Sequence, residues 1–297
     1  MNIAMSGASG FVGSALVPEL VAQGHKVIRL VRRHPEPGTP ELYWDPSGPP
    51  LPSLFEGFDG VVHLAGENIA GRWTPAKKQR IAQSRVQGTQ FIADSLATMC
   101  KPPRVLVMAS AIGYYGNRGE EVLHEASAPG NDFLADVCQQ WEAAAKPAED
   151  AGIRVVKLRF GVVLAKHGGA LAKLLTPFKL GLGGKVGSGE QYWSWVTLAD
   201  VTGAIAHALG TESLRGPVNV TAPQPARNAE FTQALGRALH RPAIFPLPAF
   251  AAKLALGEMA EVVLLSSQKV DSAKLAASGY NFKHPQLEPA LAAVLKA

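Results

Sequence analysis

Asn2-Ile3-Ala4-Met5-Ser6-Gly7-Ala8-Ser9-Gly10-Phe11-Val12-Gly13 opens the chain. Asn2 to Met5 reads as a short apolar strand, and an apolar-periodic segment runs on from Phe11 to Gln23. Between them Gly7, Gly10 and Gly13 are spaced G-x-x-G-x-x-G, so the pattern is strand, glycine turn, helix. That spacing has a steric logic. One glycine turns tightly, one lets the backbone approach a diphosphate, and one lets helix and strand pack closely. The start of the helix then offers unpaired N–H groups and the positive end of its dipole to the anion. A second strand, Lys26 to Val31, follows the Gly24-His25 turn. This context separates a dinucleotide turn from an ordinary glycine-rich strand-to-helix turn.

The end of the second strand chooses between the two dinucleotides. An acidic side chain there would bind the ribose 2′-hydroxyl and repel a 2′-phosphate. Here the strand ends in Arg32-Arg33, with no acidic residue before Glu36. Guanidinium forks suit a phosphate, and a charge-assisted hydrogen bond is worth about 1.5–3 kcal/mol. The expected cofactor is NADP(H) in preference to NAD(H), set against a merely solvated basic loop.

The chain has 297 residues, 47% hydrophobic and 18% charged. That is enough for one large α/β domain with a smaller lobe, and too apolar for a disordered chain. The net charge of +5 is a modest excess, consistent with anionic ligands. The basic residues are scattered and lack aromatic interleaving, so no nucleic-acid partner is expected. Neither the two cysteines, Cys100 and Cys138, nor the eight histidines show metal-ligand spacing, and neither a disulfide framework nor a metal is expected. The late apolar stretch from Phe250 to Leu265 is broken by Lys253, Glu258 and Glu261, so no membrane span and no membrane partner are expected. With a strand at the N-terminus and no signal sequence before it, the expected address is cytoplasmic.

Strands and helices alternate at βαβ spacing, which predicts an α/β fold built on a doubly wound, mostly parallel sheet. Further strands are expected over residues 42–44, 60–64, 104–109, 153–158 and 217–220. Helices are expected over about 75–99, with Thr74-Pro75 as N-cap and first helical position, and over about 132–151. Two stretches depart from the rhythm. Residues 167–192 are glycine-rich and are expected to fold over a site as a lid or substrate loop. From Thr221 the chain is proline-punctuated and helical, which predicts a small α-rich C-terminal lobe. The expected division is 1–221, containing the glycine-rich loop, and 222–297.

Several polar residues stand where packing alone would not put them. Arg85 shares a helix face with Ile81, Gly88, Thr89, Ile92 and Leu96. A charge on such a stripe calls for an anion, either a cofactor phosphate or a substrate carboxylate, unless it snorkels to the surface. Lys77, Lys78 and Arg80 read more simply as a solvated face. Leu64-Ala65-Gly66 closes the fourth strand with residues small enough to lie against a dinucleotide, and Glu67 follows at a carboxyl strand end, as a site acid or a loop cap. Ser110, Tyr114 and Tyr115 close the fifth strand, where hydroxyl and phenol groups can hold a carbonyl and deliver a proton, or simply pack.

Together these residues resemble the extended short-chain dehydrogenases/reductases, the nucleotide-sugar epimerase-like branch with a Rossmann sheet. Gly7-x-x-Gly10-x-x-Gly13 matches that group's glycine motif, and His63-Leu64-Ala65-Gly66 its fourth-strand motif. Arg85-Val86-Gln87-Gly88-Thr89 is similar to its N-V-x-G-T motif with Arg in place of Asn. Ser110 and Tyr115-Gly116 resemble its serine and Y-G edge, and Arg159 to Val163, with Phe160 and Val162, the segment lining the nicotinamide. Gly187 to Gln191 and Trp195 to Val201 resemble its G-D-G-x-Q and V-x-D-V signatures. The group's catalytic Tyr-x-x-x-Lys pair is missing. The matching stretch offers Phe133/Val137 or Leu134/Cys138, and Cys138 falls on an apolar stripe with Leu134, Val137, Trp141 and Ala145. Ala65-Gly66-Glu67-Asn68, Gly113-Tyr114-Tyr115-Gly116 and Phe178 to Gly184 are similar to motifs of an atypical epimerase-family subgroup whose reaction is not established.

The resemblance and the residues imply an NADP(H)-binding protein acting on a small polar substrate, an anionic one being an option. Ser9, Phe11 and Val12 of the turn join its glycines, Arg32, Arg33, Leu64 to Gly66, Arg85, Phe160 and Val162 as the expected cofactor site. Ser110, Tyr114, Tyr115 and Glu67 are the candidates for catalysis. The alternative is a non-catalytic NADP(H)-binding regulator or redox sensor, with a link to cell division suggested by family labels alone. The residues leave monomer and homodimer equally open.

Overall fold

Ile3 and Met5 point to one side of the opening strand and Ala4 to the other, and all three are fully buried. A strand apolar on both faces has to be covered on both, which is the signature of a parallel sheet between helical layers. The computed structural model describes residues 1–296 and has this architecture. Its central sheet is built from β1 (Asn2–Ser6), β2 (Lys26–Val31), β3 (Glu41–Tyr43), β4 (Gly60–His63), β5 (Val105–Ala111), β6 (Arg154–Phe160) and β7 (Gly216–Val220). The strands are parallel throughout, in the order β7-β6-β5-β4-β1-β2-β3. The order reverses between β1 and β4, so the ligand crevice of such a sheet lies beyond their carboxyl ends.

The helices of the first half are α1 (Phe11–Ala22), α2 (Pro75–Ala97), α3 (Phe133–Ala143) and α4 (Lys146–Asp150). Those of the second half are α5 (Gly169–Lys179), α6 (Leu198–Gly210), α7 (Asn228–Leu239), α8 (Ala249–Leu256), α9 (Ala273–Ala277) and α10 (Leu287–Lys296). Leu16 and Leu20 of α1 and Val201, Ile205 and Leu209 of α6 cover Ile3, Met5, Val107 and Val156 on one face. Phe91, Ile92 and Leu96 of α2, with Trp141 of α3, cover Ala4, Val61, Leu106 and Val155 on the other. Thr74 caps α2 by accepting from the Lys77 amide, with Pro75 in the first turn.

Two boundaries differ from the expected ones in ways that matter to the site. The single helix expected over 132–151 is two, because the chain breaks at Ala144-Ala145 and restarts with Pro147, which has no N–H to continue the ladder. Strands β5 and β6 run two residues further than expected, so Ser110 and Arg159 lie inside the sheet and are paired with each other.

A third cluster joins Leu171, Leu175 and Phe178 of α5 and Trp193 and Trp195 to Phe231 and Leu235 of α7 and Leu291 of α10. The glycine-rich stretch is not one loop, since α5 occupies its middle. Its remaining part is stitched down: the Phe245 amide donates to the Gly183 carbonyl (3.0 Å), and the Leu247 amide to that of Lys185 (2.8 Å). The chain then returns to the large sheet, where Leu275 joins the first core and Tyr280 and Phe282 pack on it. Asp200, 1% exposed, is the clip. Its carboxylate accepts from the amides of Lys283 (2.6 Å) and His284 (3.1 Å) and from the Thr197 hydroxyl (2.7 Å), and the Tyr280 hydroxyl donates to its backbone carbonyl (2.9 Å). Replacing Asp200 with Ala strands the Lys283 and His284 amides and the Thr197 hydroxyl. The expected loss is about 3 kcal/mol in urea unfolding, with the C-terminal segment exchanging its amide hydrogens first.

Candidate functional site

The glycine turn divides its labour in a specific way. Gly7 has φ of +72°, and a Cβ there would lie 2.6 Å from the Leu64 carbonyl carbon and 2.7 Å from the Ala65 nitrogen. Gly7 therefore permits the contact between β1 and the end of β4. A Cβ on Gly13 would lie 2.2 Å from the Gly7 oxygen, so Gly13 lets α1 lie on β1. Gly10 is the N-cap of α1, is exposed, and would meet only the Gly7 oxygen, at 3.2 Å. Its outer side is open, as a diphosphate approach requires. Ser9 beside it is exposed, and α1 has neither a side-chain cap nor an acid in its first turn. Val12 packs on the first core. Phe11 has a role the sequence did not reveal: a Cβ on Gly168 would lie 2.6 Å from its ring, and one on Gly169 3.1 Å. Those two glycines admit the ring at the start of α5.

The two expected phosphate-binding arginines separate. Arg33 donates to Glu41 (3.0 Å) and to the His34 carbonyl (2.9 Å), and pairs with Glu36 (3.1 Å). Glu41 is buried beneath Arg33 and Arg29. Desolvation pushes its carboxyl up, but the Glu36 amide and the two guanidinium groups outweigh that and hold it below the ordinary carboxylate range. Arg32 is exposed and has no hydrogen bond or ion pair to any described residue. It is the cation at the end of β2 that no described residue pairs.

At the end of β4, Leu64 and Ala65 are half-buried and Gly66 is exposed. Glu67 is paired with Lys77 (2.7 Å) and, at 3.7 Å, with Arg80. The Lys77 hydrogen bond keeps its carboxyl low, so it stays ionised and holds no proton to give. Lys77 and Lys78 are thus not a solvated face: Lys78 pairs with Glu258 (2.7 Å). Arg85 donates from one Nη to the carbonyls of Glu67 (3.0 Å) and Ile81 (3.1 Å), and its guanidinium lies over the Trp141 ring at 5.1 Å. A Cβ on Gly66 would sit 3.3 Å from its Cζ. Desolvation lowers its pKa, partly offset by Cys138 and Glu67. No carboxylate among the described residues neutralises it.

Beyond β5, three strands and one helix build a buried polar chain. Ser110, Arg159 and Asn219 share one rung across β5, β6 and β7. Arg159 donates from Nε and Nη2 to the two oxygens of Glu142 on α3, both at 2.8 Å. Ser110 donates to the same carboxylate (2.6 Å). Arg159 also reaches the Tyr115 hydroxyl (3.0 Å), which donates to Asn219 (2.6 Å). Burial pushes the Tyr115 phenol up to about 12, although Arg159 opposes the shift. Both Ser110 and Tyr115 are therefore committed to the interior. Tyr114 is different. It is half-buried, the Arg159 guanidinium lies 3.5 Å from its ring centroid, and its hydroxyl has no partner among the described residues. Leu134 and Cys138 of α3 pack against Gly113, and burial pushes the Cys138 thiol up to about 12. Phe160 and Val162 are half-buried where the chain leaves the sheet at Gly161.

A family model described as the NAD dependent epimerase/dehydratase family matches residues 3–220. The chain belongs to that family. A domain of unknown function, DUF1731, matches residues 247–294. The chain is 43% identical to an epimerase family protein of Mycobacterium bovis, Mb2239, over 97% of this chain and 96% of that one. It is 38% identical to the human epimerase family protein SDR39U1 over 98% of each. A crystal structure of human SDR39U1 (isoform 2) with NADPH superposes with a TM-score of 0.90 at 35% identity, covering 100% of this chain and 99% of that one. No helix among the described residues is long and apolar enough to cross a membrane.

The sequence reading singled out neither Glu142 nor Asn219, although a carboxylate one residue after Trp141 on an otherwise apolar helix face was a usable signal. It also passed over the protonation of His63, which is fully buried between Ser6 (2.6 Å) and Trp44. Desolvation, helped by Arg85, drops its pKa to about 4. The unfolded chain takes up this proton near pH 6.5 and the folded chain only near 4, so acid favours unfolding across that window. Compared with a His63→Asn variant, the wild type should lose about 3 kcal/mol of relative stability between pH 6.5 and 4, measured by denaturant titration at each pH.

Proposed function

We propose that the protein is an NADP(H)-dependent oxidoreductase of the epimerase type, acting on a small polar substrate with Tyr114 as its proton donor. The observation that carries the cofactor is the pairing of an open Gly10 face with an unpartnered Arg32 one strand away. Gly7 and Gly13 let the turn pack tightly against the end of β4 and let α1 lie on β1, and Gly10 leaves the outer side open, so the residues fit a dinucleotide. The human relative crystallised with NADPH supports the same reading. In it, Gly10 and Ser9 meet the diphosphate at the start of α1, Arg32 takes the 2′-phosphate, and Leu64 to Gly66 line the crevice. Arg85 stands beside Gly66 at the same strand end, and Phe160 and Val162 follow β6. NADP(H), when bound, supplies or accepts a hydride. The protein must then position the substrate and move a proton.

Within this reading, comparison of the four side-chain candidates favours one proton donor over the others. Glu67 is held ionised by Lys77, Ser110 gives its hydrogen to Glu142, and Tyr115 is buried against Asn219. Tyr114 alone of the four keeps a hydroxyl without a partner among the described residues, and the Arg159 guanidinium lies against its ring at 3.5 Å. Arg85, charged and uncompensated, is placed to hold a substrate or cofactor anion. The missing Tyr–Lys pair favours a second reading, a non-catalytic NADP(H) sensor. Incubating NADPH-loaded protein with a metabolite extract separates the two, since only the enzyme oxidises the nicotinamide.

Arg32→Ala should raise the Kd for NADPH by about 10- to 100-fold and leave that for NADH unchanged, by calorimetry. Arg33→Ala should cost less, because Glu36 and Glu41 already share that guanidinium. Tyr114→Phe should slow NADPH oxidation by about 10²- to 10⁴-fold with cofactor affinity retained. Full turnover in that variant rules Tyr114 out as the donor.

A further inference from the structure

Six large apolar side chains, Leu180, Leu182, Ile244, Phe245, Phe250 and Leu254, are each more than half exposed. They lie on two segments that the Phe245–Gly183 and Leu247–Lys185 hydrogen bonds tie together. Phe250 and Leu254 are four residues apart, on one side of α8. Phe250 is 74% and Leu254 77% exposed, so they project into solvent. Scattered apolar residues need no explanation, but six projecting from two segments that are tied together mark an interaction surface.

The two segments themselves carry only basic charge, and the acids that border them, Glu258, Glu261 and Glu288, are each paired with a cation. Residues 164–189 and 231–257 contain no Asp or Glu. Arg237 and Lys253 are answered by Glu288 and Glu261 from outside those segments. Lys173, Lys179, Lys185 and Arg241 are exposed and have no carboxylate partner among the described residues. We propose that this face docks on an anionic lipid surface, with α8 and the 180–184 turn entering the headgroup boundary and these four cations, two of which touch only backbone carbonyls, meeting lipid phosphates. Projecting aliphatic and aromatic side chains ringed by lysine and arginine fit that boundary, and attraction to anionic lipid follows from the ring. A second copy docked face to face would set cations against cations. The sequence reading expected no membrane partner because no span is present, but a helix lying in the interface needs none. Leu256, at the end of α8, packs in one cluster with Ile69 and Trp73, on the loop that follows Glu67. The face therefore borders the crevice.

Co-sedimentation of the intact protein with vesicles tests this. Binding is expected to vesicles of phosphatidylcholine with phosphatidylglycerol, to fall with salt, and to be absent with phosphatidylcholine alone. A Phe250→Glu/Leu254→Glu variant should bind at least tenfold less with an unchanged thermal melt. Lys179→Glu/Arg241→Glu should weaken binding and flatten its salt dependence. No binding to either vesicle overturns the proposal in favour of a protein partner. Equal binding to both overturns the role of the cations. A dimer in sedimentation velocity without lipid, dissociated by the Phe250/Leu254 variant, overturns it in favour of a second copy.

Discussion

The ion pair between Arg159 and Glu142 constrains the site end of this molecule more than any other interaction. Both side chains are nearly fully buried, and desolvating two charges is expensive unless the geometry is close and every remaining donor and acceptor is satisfied. Here the fork is bidentate, and the leftover donors and acceptors are met by Ser110, Tyr115, Asn219 and the Glu125 carbonyl. Desolvation would lower the pKa of Arg159, but Glu142 and Tyr115 overcome it and raise it. The network is thus complete, and a complete buried network is rigid. It fixes α3 against β5 and β6, and with α3 the position of Trp141 beneath Arg85.

The same network decides which groups are left for chemistry. Ser110, Tyr114 and Tyr115 at the carboxyl edge of β5 read, from sequence, as groups that hold a carbonyl and deliver a proton or simply pack, and the hydroxyls of Ser110 and Tyr115 do the latter. They are absorbed into satisfying a charge that a parallel sheet could not otherwise bury. Tyr114 escapes because it stacks on the face of the guanidinium and not on its edge, so its hydroxyl is not needed there.

Much of the fold was legible because it follows from local rules. The glycine spacing, the apolar strands and the Thr74 cap each bear their meaning in a few consecutive residues. The unpartnered Arg32 was half legible. The Arg-Arg pair was visible, but Glu41, which stands opposite Arg29 in the pairing of β2 with β3, takes up Arg29 and Arg33 and leaves Arg32 free. That is a tertiary fact. The Ser110–Glu142–Arg159–Tyr115–Asn219 chain was not legible, because its members are separated by 17 to 104 residues from their partners and meet through strand register and the packing of α3 on the sheet. The same holds for Gly168 and Gly169, whose smallness serves Phe11 and not a flexible lid.

Arg85 shows how the missing lysine changes what the crevice can do. On α3, where the family pattern carries its lysine, Cys138 lies in an apolar setting with its thiol pushed up to about 12. The cation of this region comes instead from α2, and it is close enough to Cys138 to act on that thiol. An ammonium can give up a proton when its surroundings are tuned, whereas a guanidinium stays charged even when burial lowers its pKa. Charge at this position can therefore bind and orient an anion, but it cannot relay a proton.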